Sequence, residues 1–395
     1  MPKWEKMTVG DLCDTISDTY RGDDKDVVLI NTSDVLEGKV LNHQVVENKN
    51  LKGQFKKTFK ENDILYSEIR PANKRYAFVD FGDTDNYIAS TKLMVLRPRK
   101  DVVRPRFLFS FLASKSVLEE LQQLAETRSG TFPQITFSSE LAPTPINVPD
   151  LETQDRIVGI LDGIEGKIST NAEINKNLEQ QAQAYFDELF VVNADPNWSE
   201  CTLSDIGSVV AGGTPSKSKP EYYADQGIAW ITPKDLSVNK SKFISHGEND
   251  ISELGFSKSS AAKMPAGTIL FSSRAPIGYI AIAQNEVTTN QGFKSVIPNE
   301  NISTAYMYFL LKNLLPTIEG MASGSTFKEI SGAAMKSVPT VMPDADTIQL
   351  FSSFCEPVFN EQEILEAENQ RLSSLRDSLL PKLMSGELDV SNIEL

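Results

Sequence analysis

The chain has 395 residues, 40% hydrophobic and 24% charged, and its 39 Lys and Arg against 54 Asp and Glu leave a net charge of −15 at pH 7. That length accommodates two ordinary domains, and the mix is that of a soluble globular protein rather than a disordered or fibrous one. Three widely spaced cysteines (Cys13, Cys201, Cys355) and two histidines (His43, His246) exclude a disulfide framework, a zinc site and histidine-based catalysis, and the lack of a long apolar run argues against a membrane span or signal peptide and places the protein in the cytoplasm.

The first half opens with WEKMTVGDL at 4–12 and continues in alternating apolar runs such as VVLINTSDV and KRYAFVDF, broken by Gly, Pro, Asn and Asp, which read as β-strands. A helical pattern, RPRFLFSFLASKSVLEELQQLA, follows with Pro105 near its start. SGTFPQIT at 129–136 and PINVPD at 145–150 come next, and a heptad-like stretch runs from about 152 to 190. Then the chain repeats itself. WSECTLSDI at 198–206 parallels 4–12, with Trp198 lying 194 positions after Trp4. ITPKDLSVNK at 231–240 parallels INTSDVLEGK at 30–39 at an offset of 201, and TILFSSRAP at 268–276 parallels DILYSEIRP at 63–71. TILFSS and GYIAIAQ again read as strands, and STAYMYFLLKNLLPTIEGMA matches the first helical pattern with Ser303 as its N-cap. GSTFKEIS at 324–331 parallels 129–136, Thr326 standing 195 positions after Thr131, and PTVMPD at 339–344 meets PINVPD at an offset of 194 once more.

Five matches in one order establish a duplication in which the framework keeps register while the stretches between change length, as loops on a rigid scaffold do. The predicted organisation is a β-rich module over 1–150, a central helix over 151–192, a second module over 193–343, and a C-terminal helix and tail over 344–395. The fold class is α+β.

The first long helix has seam positions Ile157, Leu161, Ile164, Ile168, Asn171, Asn175, Leu178, Ala182, Tyr185 and Leu189. Adding 194 gives Phe351, Cys355, Val358, Gln362, Leu365, Asn369, Leu372, Arg376, Leu379 and Leu383, a second seam of the same period. Alternating spacings of four and three predict a coiled-coil pair, antiparallel under a pseudo-twofold axis, in which some 39 residues make a rod of roughly 58 Å. Gly159, Gly163, Gly166 and Pro357 predict kinks or late starts in the first turns. Asn175 and Asn369 hold equivalent seam positions, where a polar residue sets register.

Along nearly its whole length the chain resembles the specificity subunits of Type I restriction-modification enzymes. The resemblance rests on AGGTPSKSKPEYY at 211–223, GIAWITPKDL at 227–236, SSRAPIGY at 272–279, TNQGFKSVIP at 289–298 and LLPKLMSGELDV at 379–390, taken with the duplication and the helices. It implies two tandem target-recognition domains, each reading one part of a split double-stranded DNA sequence, joined by helices that act as spacer and docking surface. It also implies two modification (methyltransferase) subunits and restriction (motor and nuclease) subunits as partners, with S-adenosylmethionine, ATP and Mg carried by those partners, and no cofactor or metal on this chain. The first half departs from the pattern, since the counterpart of its GGTPSKS loop reads DTYRGDD near 18–24.

Base reading calls for Arg or Lys to guanine and Asn or Gln to adenine, with further cations on phosphates. The DNA-binding candidates are Arg21, Lys56, Lys57, Arg70, Lys74, Arg75 and Arg128 in the first half, and Lys217, Lys219, Lys234, Lys240, Arg274 and Lys328 in the second. Thr214 and Ser216 are candidates for phosphate, and Asn290 and Gln291 for adenine. Arg97, Arg99, Lys100, Arg104 and Arg106 form the densest basic run, either a phosphate track or the approach to a helix. The acidic surplus, which counts against DNA binding, concentrates on the second helix in Glu356, Glu361, Glu363, Glu366 and Glu368, a face suited to basic partners.

No catalytic site is predicted. The GxxxxGK[ST] spacing of a phosphate-binding loop is absent, as are the glycine-rich and Pro-Pro-aromatic motifs of a methyltransferase, and Asp23 and Asp24 read as loop solvation. Two alternatives stay open: a coiled-coil adaptor that reads no DNA, and a DNA reader of a Type IIB- or IIG-like methylase-nuclease. A coherent basic patch on each β-rich half would favour DNA reading, and scattered charge the adaptor.

Overall fold

The computed structural model describes residues 4–22, 25–49, 53–324, 328–391 and 393. Asp23, Asp24 and Thr326, with its neighbours Ser325 and Phe327, lie outside the described residues. The chain folds as two compact units, residues 1–167 with 371–395, and residues 168–370.

In the first unit, strand Glu5–Thr8 pairs antiparallel with Pro145–Val148, Glu5 opposite Val148. The chain then turns through a helical segment, Val9–Leu12, where the Thr8 amide (2.8 Å) and hydroxyl (2.7 Å) both donate to the Asp11 carboxylate. One sheet runs in the order Cys13–Ile16, Leu93–Pro98, Ile64–Ser67, Tyr76–Phe78. A second runs Val45–Glu47, Asp26–Ile30, Tyr87–Ser90, Phe55–Lys57, its two central strands parallel. Helices Pro105–Leu112 and Lys115–Arg128 cover the first sheet with Phe107, Leu108, Leu112 and Leu121, all fully buried.

The second unit repeats this plan. Ser199–Thr202 pairs with Pro339–Met342, and Ser199 opposite Met342 is the first unit's register moved by 194. Thr202 and Asp205 repeat the turn of Thr8 and Asp11, with bonds of 2.7 Å from both amide and hydroxyl. One sheet runs Gly207–Ala211, Lys294–Pro298, Ile269–Ser273, Ile277–Ala283, Phe243–Ile244, and the other Tyr223–Ala224, Asn249–Ile251, Ile228–Ile231, Thr288–Thr289, again with one parallel pair. The parallel pairs correspond: Ala89 lies opposite Ile30, and Thr289 opposite Ile231.

Each single helical pattern resolves into two helices. Pro105–Leu112 gives way to Lys115–Arg128 at Ser114, and Thr304–Asn313 to Leu315–Met321, where Pro316 begins a new turn because it has no N–H to continue the old one. Ser303 is an N-cap, its hydroxyl accepting from the Tyr306 amide at 3.1 Å.

The long helices span Leu151–Asp187 and Ala345–Ser385. Neither starts late. Asp150 accepts from the Thr153 amide at 2.9 Å and Asp344 from the Thr347 amide at 2.8 Å, so equivalent Pro-Asp pairs cap both first turns. The helices run unbroken through Gly163, Gly166 and Pro357; both glycines face open space, where their lost side chains cost no packing.

Every predicted seam position is buried or half-buried. The antiparallel sense is read within each unit. In the first, Arg376 pairs with Glu165 (3.7 Å), while Arg156, earlier than Glu165 on its helix, donates to the Ser391 carbonyl (2.6 Å), just past the end of the other. In the second, Asn369 meets Asn171 and Ile168, while Phe351, earlier on its helix, meets Phe186, later on the other. Asn369 donates to the Ile168 carbonyl (3.3 Å), and the Asn175 carbonyl accepts from Gln362 (3.0 Å); a shift of 194 converts one residue pair into the other. Asn171, fully buried, donates to Asn369 (2.9 Å) and Glu368 (2.7 Å) and so shares the polar centre of the seam.

Candidate nucleic-acid interface

In the second unit the GGTPSKS loop is built around its glycines. A Cβ at Gly212 would lie 2.0 Å from the Asn290 carbonyl and one at Gly213 would lie 2.3 Å from the Ala261 amide, so only glycine lets the loop pass this close. Two aromatic residues then hold it: Trp230 donates to the Gly213 carbonyl (3.0 Å) and Tyr223 to the Pro215 carbonyl (2.9 Å), their rings edge to face at 5.8 Å. The result is a cleft of about 510 Å³ lined by Thr214, Lys217, Lys234, Asn290 and Gln291 together with Tyr223 and Trp230. Five residues proposed from sequence thus meet around one cavity. Tyr223 and Trp230 were missed as site residues, although both stand in the quoted segments, because strand aromatics read first as core.

The opposite edge of the cleft is Thr232, Pro233, Lys234 and Asp235. Asp235 accepts from the Thr232 amide and hydroxyl (both 2.7 Å) and from the Glu248 amide (2.8 Å), tying this edge to the loop before Asn249–Ile251. Lys234 is held by Glu248 at 2.5 Å, a bond that raises its pKa above the ordinary lysine value. Thr214 is hydrogen-bonded to Gln291, while Asn290 accepts from the Gly292 amide (2.8 Å), which leaves its NH₂ group for other partners.

The remaining sites divide sharply. Lys57, half-buried, donates to the Thr91 (3.1 Å) and Leu93 (2.8 Å) carbonyls, and burial lowers its pKa; it staples the first unit's counterpart of the Asn290 loop from inside. Arg75 donates to the Ser33 carbonyl (2.9 Å), Lys74 pairs with Glu37 (2.8 Å) and Arg128 with Glu140 (3.2 Å). Lys219 pairs with Glu221 (3.8 Å) and Arg274 with Glu329 (3.4 Å), while Lys240 lies over the Tyr279 ring (4.7 Å) and Ser216 bonds Ser218 (2.9 Å).

Among the described residues, the exposed side chains of Arg21, Lys56, Arg70, Lys217 and Lys328 make no ion pair or hydrogen bond. The Tyr20 amide donates to the Lys56 carbonyl (2.8 Å), so the segments that carry Arg21 and Lys56 run against each other, with Tyr20 opposite Lys56. Arg70 stands immediately before a proline at φ 45°, as does its counterpart Ala275 at φ 50°, a conformation that residues other than glycine rarely adopt and that clusters at functional sites.

The dense basic run is the approach to a helix. Arg97 grips buried Asp63 with two bonds (2.7 and 2.8 Å), Arg99 holds Asp14 (2.6 Å), Arg104 holds Asp155 (2.7 Å), and Arg106 stacks on Phe78 (4.4 Å). On the acidic face, Glu363, Glu366 and Glu368 accept bonds from Gln284, from the Lys242 and Phe243 amides, and from Asn171, whereas Glu356 and Glu361 are exposed. Among the described residues no cluster of three or more His, Cys, Asp or Glu could hold a metal ion, and no helix is long and apolar enough to cross a membrane.

Comparison with known proteins adds a family to this geometry. The profile described as "Type I restriction modification DNA specificity domain" matches residues 1–180 and again 196–374. The specificity subunit of the Type I restriction enzyme HindI of Haemophilus influenzae is 32% identical over 465 aligned positions, covering 98% of this chain and 100% of that one. The MjaIX specificity subunit of Methanocaldococcus jannaschii is 38% identical over 190 residues, 46% of this chain and 44% of that one. A crystal structure of the Type I S subunit from M. genitalium shares the fold with a TM-score of 0.59 at 18% identity, covering 97% of this chain and 96% of that one.

Proposed function

Because this chain belongs to the family of Type I restriction modification DNA specificity domains, we propose that it is the subunit that reads DNA sequence in a Type I restriction-modification complex. It recognises and does not catalyse. The observation that carries the reading is the duplication at the level of strand register: one β-rich fold occurs twice, each copy matched by the family profile, so that each half reads one part of a bipartite target. Base edges are met in the second half by Asn290 and Gln291 across the cleft, with Lys217 on phosphates, while Glu248 holds Lys234 at the cleft edge. In the first half the reading surface is a different one, built on Arg21, Lys56 and Arg70. The paired helices dock the modification subunits, two per complex, and the restriction subunits, which carry S-adenosylmethionine, ATP and Mg; helix length sets the unread gap between half-sites. The site of action is the cytoplasm.

The gathering of Thr214, Lys217, Lys234, Asn290 and Gln291 at one cleft favours a DNA reader over a coiled-coil adaptor. The test is the map of methylated sites in host DNA with and without this chain. Loss of one split motif, with all other methylation intact, is the expected result; an unaltered map refutes the proposal.

A further inference from the structure

Within the second unit a group of charges is buried that DNA reading does not use. The Lys242 side chain, 6% exposed, is ion-paired to Glu179 of the first long helix and donates to Gln362 of the second (2.7 Å). It sits over the rings of Phe359 (4.0 Å), Tyr308 (4.7 Å) and Phe309 (5.4 Å). Lys312, from the helix Thr304–Asn313, reaches Glu179 as well (2.5 Å), and the Tyr308 hydroxyl donates to the same carboxylate (3.3 Å). Glu366 accepts from the Lys242 and Phe243 amides (2.8 and 3.2 Å), so the main chain is held along with the side chain.

Burying charge is costly unless partners compensate, and a pair of hydrophobic residues often stabilises as well. What the ions add is direction. Lys242 stands between Pro233–Val238, the helix whose first turn forms one edge of the reading cleft, and the strand Phe243–Ile244. Its carbonyl accepts from the Ile282 amide (2.7 Å) in the same sheet. The group therefore ties that edge of the cleft to both long helices at one point. The first half has no equivalent, for the residues 194 positions from Glu179, Gln362 and Glu366 are Ser373, Ile168 and Ala172.

We infer that Lys242 and Glu179 are positioning residues for the second half-site: their buried pair, with Gln362 and Glu366, fixes where the 232–235 edge of the cleft stands on the helix pair. The inference rests on the DNA-reading function proposed above. It predicts asymmetry, since disturbing the pair blurs one half-site and spares the other.

The test uses the full chain assembled with its modification and restriction subunits, and measures methylation of DNA duplexes carrying single base changes in either half-site. K242M/E179Q removes both charges of the buried pair together, and Lys312, which loses its carboxylate, is 31% exposed and keeps its charge in contact with water. The expected result is a fall of about tenfold in discrimination at the second half-site, with first half-site discrimination unchanged and a melting temperature near that of the unaltered chain. K312M, on the more exposed side of Glu179, shifts discrimination in the same direction by less and covers the case in which the double variant fails to fold. Unchanged discrimination in a folded variant, or equal loss at both half-sites, overturns the inference. If the unaltered chain itself confers no half-site discrimination, it is the DNA-reading function that fails.

Discussion

Lys217 and Lys57 show how differently two candidate cations are used. Lys217 is exposed at the lip of the cleft and makes no ion pair among the described residues, so its charge is available to a phosphate. Replacing it with alanine is expected to weaken binding about equally across sequences and to lower the slope of log affinity against log salt by about 1, as a salt titration of binding would show. Lys57 is used internally by two carbonyls. K57M leaves both acceptors without their donor, so the expected outcome is a loss of ~1–3 kcal/mol in stability by denaturant unfolding, with no change in salt slope. A drop in salt slope for K57M would show that this lysine reaches DNA after all. The sequence did not separate the two, because Thr91 and Leu93 lie 34 and 36 residues from Lys57 and reach it only through the pairing of Phe55–Lys57 with Tyr87–Ser90.

At the scale of elements, the long helices depend on two matched devices. The first is the cap. The Thr153 amide holds Asp150, and the Thr347 amide holds Asp344, below the ordinary carboxylate value of 3.8. A carboxyl group whose pKa is lowered by folding contributes stability above its unfolded value and loses it as pH falls through the folded one. The melting temperature is therefore expected to fall on acidification below about pH 4, and D150N/D344N to flatten that fall, since asparagine still caps but does not titrate; an unchanged acid profile in the double variant would remove the caps from the account. The second device is the polar seam. We propose that Asn175 and Asn369, with Asn171, set the register, because each bond from Asn369 and Gln362 reaches one particular carbonyl. N171L/N369L is expected to retain or gain helix stability while populating shifted pairings, which cysteine cross-linking between helices would detect. The seam itself was legible from alternating spacings of four and three. The caps show why the glycines and Pro357 misled: helix starts are decided by the capping bonds and the buried face, and single residues of low propensity on the outer face are outweighed.

For the whole molecule, each unit carries its own core. Leu383, Met384 and Val390 pack with Ile157 and Leu161 in the first, while Phe351 and Cys355 pack with Phe186 and Phe309 in the second. Exchanging residues 1–150 for another reader of the family is expected to alter one half-site only, as methylated-site mapping would reveal, provided the donor matches the apolar surface against Ile157, Leu161 and Leu383. Change in both half-sites would defeat the two-reader account.

What the amino-acid order determined alone was what repeats along the chain: the duplication, the heptad period of the long helices and the alternation of the strands. Those signals survive because a helix or strand face repeats every few residues and needs no distant partner to be read. Which cations are left without an internal partner was decided by tertiary structure. Arg97 meets Asp63 across 34 residues, and Lys242 meets Glu179 across more than 60, so each charge is cancelled or left available only once folding brings the partner within reach. Electrostatic contacts depend on distance in space, and that distance has no period along the chain.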